Sequence, residues 1–142
     1  MNINLSYIAG FFDADGSVGI YPRGSFYQVN VAIANSGKQG EEICRYLQSN
    51  FKGCLTFQTA KKKTHRNCFW WRLNGAETCL GFLEAIEPFS IIKKRQVQLC
   101  IEFIKHRATL PKKMSDKDKE FLWSLAEECK KEKYIDLQDW TQ

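Results

Sequence analysis

The segment IAGFFDADGS, Ile8–Ser17, runs an apolar, small-residue pattern straight into two aspartates, Asp13 and Asp15, and stops at Gly16. Ser6, Gly10 and Ala14 lie four apart, so on a helix they line one side. A row of small side chains lets a second helix approach closely. Leu5, Ile8 and Phe12 form the other side, and are expected to point into the subunit's own core. If the second helix is the same helix of another copy, the contact is two-fold and brings two copies of Asp15 together. Close carboxylates repel unless a cation sits between them, and oxygen ligands suit magnesium. Two acids and metal ions beside a basic sheet describe a site that cleaves phosphodiesters.

The elements that must position this site follow from periodicity. The spacing of Leu5, Ile8 and Phe12 predicts a helix over 4–13, broken by Gly16, then a strand over 17–21 and a turn over Pro22–Ser25. Tyr27, Val29, Val31 and Ile33 alternate with Gln28, Asn30, Ala32 and Ala34, as in a half-buried antiparallel strand. Ile43, Leu47 and Phe51 predict a helix over 39–51. Residues 54–60 and 68–73 read as a second hairpin around the basic loop KKKTHRN. Cys79, Phe82, Leu83 and Ile86 mark a helix ended by Pro88, and a longer helix is expected over 92–106. Ser115 is placed to cap a last helix carrying Phe121, Leu122 and Leu125. The predicted order is αββαββα plus C-terminal helices. This is an α+β layout in which one four-stranded antiparallel sheet has helices on one face.

A chain of 142 residues suits one domain over 1–142, with a core at 1–106 and a helical extension at 107–142. No apolar run approaches the ~18 residues of a membrane helix, so no membrane partner is expected. The start lacks the basic-then-apolar plan of a signal peptide. The six cysteines have no C-x-x-C spacing, and most sit among apolar neighbours. They read as free thiols of an intracellular, reducing compartment, such as the cytoplasm or an organelle matrix. The net charge of +5 is compatible with a nucleic-acid partner without requiring one. A hydrolase acting on a small molecule would need a His or nucleophile beside the aspartates, and none is near in sequence.

The motif IAGFFDADG resembles the signature of the LAGLIDADG homing endonucleases, differing only by apolar exchanges. The segment PFSIIKKRQ, Pro88–Gln96, looks like the family's second landmark: a proline, a basic residue and a glutamine before a long helix. One motif copy in a short chain resembles the homodimeric branch. The resemblance implies an intron-encoded, site-specific endonuclease that cuts a long, pseudo-palindromic double-stranded DNA target and leaves 3′ overhangs. Its cofactor would be Mg2+, with Mn2+ or Ca2+ substituting for binding. The alternative is a non-cleaving relative, such as an intron-splicing maturase; the presence of Asp15 and Lys93 favours cutting.

By position, the resemblance implies that Asp15 holds metal, with the backbone carbonyl of Ala14 helping. It implies a structural role for Asp13 near the helix–helix interface formed by Ser6, Gly10 and Ala14. Asn35, or alternatively Ser36, would join the polar network around the metals. Lys93 would face the cleavage site with Gln96 nearby. In the family the sheet straddles the DNA major groove. Strand alternation then nominates Gly19, Tyr21 and Arg23, with Ser25 in the turn, then Gln28 and Asn30, Thr56 and Gln58, and Trp70 and Arg72. Arg and Gln side chains form paired hydrogen bonds to guanine and adenine edges. Lys61, Lys62, Lys63 and Arg66 on the hairpin tip would touch phosphates without reading sequence. Lys112, Lys113, Lys130, Lys131 and Lys133 are interleaved with acids and read as a solvated helix face.

Overall fold

A computed structural model describes residues 3–133. It shows helix α1 (Leu5–Asp15), strands β1 (Gly16–Arg23) and β2 (Phe26–Ser36), helix α2 (Gly37–Phe51), strands β3 (Cys54–Gln58) and β4 (Cys68–Leu73), and helix α3 (Ala76–Ile86). A 3-10 turn over Glu87–Phe89 then leads into helices α4 (Lys94–Ala108) and α5 (Asp116–Lys133). The α+β expectation and the element order both hold. The last nine residues of the predicted extension, 134–142, lie outside the described residues.

Local chemistry sets the ends of α1. Asn4 caps it, its side-chain oxygen accepting from Tyr7 N at 2.8 Å and from Ser6 Oγ at 2.7 Å. Gly16 closes it by donating to Phe12 O, and any Cβ at Gly16 would run into the Phe12 ring and carbonyl. The missing side chain lets the chain turn from helix into strand over a buried phenylalanine. Ser115 does cap α5, accepting from Asp118 N at 3.2 Å.

The sheet is antiparallel throughout, in the order β1-β2-β4-β3. Val18, Val29, Val31, Ile33, Trp71 and Leu73 turn one face toward the helices, where all are buried. Phe82 of α3 joins four elements there. Its ring meets Phe12 at 5.4 Å and Phe51 and Trp71 at 5.0 Å, edge-on in each case. Each such pair is worth about 0.5–1.5 kcal/mol beyond the area it buries.

Three expectations need correction. Pro22 and Arg23 belong to β1 and pair with Tyr27 and Phe26, so the turn narrows to Gly24–Ser25. A proline is tolerated because β1 is an edge strand. Leu5 does not enter the core; at the start of α1 it is 38% exposed, among the apolar side chains left uncovered on that helix. Cys54 is exposed, while Cys44, Cys79, Cys100 and Cys129 are buried as expected for free thiols.

Helix α5 lies against α4 and along the open edge at β1. Leu122, Leu125, Ala126 and Cys129 form its buried side. Arg95 of α4 reaches Glu128 of α5 at 2.5 Å. That pair is exposed and contributes little; the apolar seam holds the helix in place.

Candidate active site and nucleic-acid face

Asp13 and Asp15 are two residues apart and face different surroundings. Asp13 turns inward and is buried. Its Oδ2 accepts from the backbone N–H groups of Ile91 at 2.8 Å and Ile92 at 3.1 Å, and its Oδ1 from that of Lys93 at 3.1 Å. These donors lie at the N-terminal end of α4, where a negative charge is also favoured by the helix dipole. Asp13 therefore ties α1 to α4 within one subunit. Its carboxylate is occupied by its own chain, which agrees with a structural role for Asp13. Asp13→Ala should lower stability by about 1.5–3 kcal/mol, the worth of a hydrogen bond to a charged group. Chemical denaturation checks this, and an unchanged unfolding midpoint would contradict it.

Asp15, by contrast, is exposed at the end of α1. Asn35 donates to it from Nδ2 at 3.2 Å. The amide of Asn35 is oriented by its other end, since its Oδ1 accepts from Ser36 N at 2.8 Å. Ser36 does not reach Asp15 in this way; it is the capping position of α2. Lys93 Nζ donates to the Asp13 carbonyl at 2.5 Å. Burial pulls the pKa of this ammonium down, against the opposing fields of Asp13 and Asp15. Gln96 lines the same hollow as Lys93, together with Gly16, Ser17, Ile92 and Lys133.

Ala14 is in the last turn of α1, where backbone carbonyls lack intrahelical partners. A solvent-facing carboxylate beside helix-end carbonyls is a hard oxygen donor set and fits a cation such as magnesium. Among the described residues, no three His, Cys, Asp or Glu side chains converge. One chain thus offers the exposed carboxylate of Asp15 at this point.

The sheet face away from the helices carries most of the nominated residues. Arg23, Ser25, Thr56, Gln58 and Arg72 are exposed, while Tyr21, Gln28, Asn30 and Trp70 are half-buried. Tyr21 pairs with Gln28 and Thr56 with Trp70 across neighbouring strands. The Arg72 guanidinium stacks over the Trp70 ring, 4.9 Å from its centroid, which restricts its fork. Lys61, Lys62, Lys63 and Arg66 are exposed on the β3–β4 loop, whose base is closed by Ala60 N donating to Asn67 Oδ1 at 2.9 Å.

Gly19 departs from its expected role. It is buried, and the side chains of Tyr21 and Lys133 cover it. Lys133 is the residue that sequence reasoning missed: its ammonium donates to Tyr21 Oη instead of lying on a solvated helix face. Ile91 and Ile92 were also not anticipated. They are 83% and 74% exposed beside Asp13, and with Leu5 and Tyr7 they leave apolar surface uncovered next to the small-residue row. Their position after a proline, just before a helix, gave no sign of which way they face.

Solved homing endonucleases share this fold. I-CvuI in complex with the I-CreI target, formed in the presence of 2 mM Mg, matches with a TM-score of 0.60 at 22% identity, over 90% of this chain and 80% of that one. The archaeal intron-encoded I-Vdi141I complexed with DNA matches at 0.71 and 19% identity, over 90% and 82%. I-SmaMI, bound to an uncleaved DNA target in the presence of calcium ions, matches at 0.71 and 19% identity, over 92% of this chain and 46% of that one. No protein-family model and no curated protein matches the chain. The chain has the fold of the LAGLIDADG homing endonucleases.

Proposed function

We propose that two copies of this chain form a site-specific, metal-dependent endonuclease of double-stranded DNA. The observation that carries this reading is the exposed Asp15 carboxylate at the end of α1, beside Lys93 and at the border of a polar sheet face that no helix covers among the described residues. The DNA complexes among the structures of this fold support the choice of substrate.

The two copies meet through α1. Ser6, Gly10 and Ala14 are exposed, and a Cβ at Gly10 would meet nothing within 4 Å in its own chain. The uncovered Leu5, Tyr7, Ile91 and Ile92 widen the contact, as apolar surface that a second subunit would bury. The two-fold axis then passes by the ends of both α1 helices and sets the two Asp15 side chains near one another.

In this site Asp15, with the Ala14 carbonyl, would hold the cation, while Asn35 fixes the direction of the carboxylate. A divalent cation bound there supplies charge neutralisation at phosphate oxygens and a more acidic water. Lys93 places positive charge beside the scissile phosphate, where it stabilises the charge that builds on the phosphate oxygens. Gln96 orders water within the same hollow. The sheet places Arg23, Gln28, Asn30, Gln58 and Arg72 against base edges, and the basic β3–β4 loop holds the phosphate backbone. A staggered cut with 3′ overhangs and an intron-encoded origin complete the reading.

The experiment is recovery from a randomised duplex library in calcium, where binding is separated from cutting. A long consensus, nearly palindromic, is expected; recovery of unselected sequence contradicts specific recognition. On that consensus Arg72→Ala should relax preference at a few symmetric positions, at a cost of about 1–3 kcal/mol for a lost bidentate contact. Lys62→Ala should weaken all sequences alike. An unaltered preference profile for Arg72→Ala would mean that Arg72 makes no base contact.

A further inference from the structure

We propose that Lys133, at the end of α5, is a DNA phosphate-contacting residue of this site, carried onto the sheet face by the packing of α5 on edge strand β1. The inference rests on the endonuclease reading above. Cys129 lies one turn earlier in the helix and is buried, with Leu125 and Ala126 on the same side. That seam sets the register of α5 and aims Lys133 across β1. Its ammonium lies over Gly19, where a Cβ would run into it and into the Tyr21 ring. The absence of a side chain at Gly19 is what leaves the channel open. The ammonium then donates to Tyr21 Oη and sits 4.3 Å from the centroid of the tyrosine ring.

This placement puts Lys133 in the hollow that also holds Lys93 and Gln96. Among the described residues the ion pairs involve neither lysine, although Glu132 lines the same hollow. The Lys93 charge is offset by Asp13 and Asp15, whereas Lys133 forms no ion pair among the described residues, so its ammonium is available to an anion bound in the hollow. At the border of a polar sheet face left open among the described residues, the anion that fits is a backbone phosphate of the strand laid across β1. Tyr21 holds the long lysine side chain in place beforehand, so less freedom is lost when the phosphate arrives.

The test is a salt titration of binding to a short random-sequence duplex, followed by fluorescence anisotropy in calcium, with the full chain and its Lys133→Met and Lys133→Arg variants. Methionine keeps the apolar stem and removes the charge. The slope of log affinity against log salt should fall by roughly 0.9 per bound subunit in Lys133→Met. Lys133→Arg should keep the wild-type slope, and all three proteins should melt together. If Lys133→Met melts lower and keeps the wild-type slope, the lysine serves packing and the inference is overturned, while the endonuclease reading stands. If the wild-type protein itself binds no duplex, that reading and this inference fall together.

Discussion

Asp15→Asn is expected to leave the fold and specific DNA binding in place and to abolish cutting. The exchange keeps the shape of the side chain and can keep the contact with Asn35, but it removes the charge and weakens the oxygen donor. Loss of an outer partner of a metal ligand already costs about 10–100-fold. Loss of the ligand's own charge, in both subunits at once, should exceed the upper end of that range. Binding should tighten slightly, because one carboxylate fewer on each subunit repels the phosphates. A gel shift and a cleavage time course on one substrate separate the two effects. Wild-type cutting by Asp15→Asn would remove the end of α1 from the active site.

Gly10→Leu should split the proposed dimer. Because a side chain at this position meets nothing in its own subunit, the variant should fold normally as a single chain. Inserting bulk into a well-packed contact costs about 1–3 kcal/mol. A two-fold interface takes that cost twice, so the dissociation constant should rise by roughly 30-fold to 10^4-fold. Sedimentation should show monomer at concentrations where the wild type is dimeric, and double-strand cutting should fall with it. An unchanged dimer would mean that the subunits meet elsewhere, or that they do not meet through this helix.

The parts of the molecule that were legible in the sequence are those governed by period. Leu5, Ile8 and Phe12 announce α1, and the alternation from Tyr27 to Ile33 announces β2 with its correct inward face. Strand phase also separates Trp71, buried, from Trp70 and Arg72 on the other face. The sequence was silent where the answer depends on a neighbour far along the chain. Nothing in the spacing of Asp13 and Asp15 tells which one turns inward; that depends on amide groups 78–80 residues later. Leu5 satisfies the helical period, yet among the described residues no element comes over it to bury it. Gly19 sits in phase with Tyr21 and Arg23, and only the arrival of α5 shows that the position is covered by a lysine. Lys133 was hidden for the same reason: among mixed charges its type is uninformative, and its placement follows from the seam around Cys129.

The ends of two α1 helices are proposed to form a metal-dependent centre that cuts DNA. Its most direct test is to incubate the wild-type protein with duplex carrying the consensus recovered from the random library, in magnesium and in EDTA, and to sequence the ends. Cutting of both strands at one symmetric, staggered position, in magnesium alone, is the predicted result. Intact duplex in magnesium, at protein concentrations that saturate binding, would contradict it.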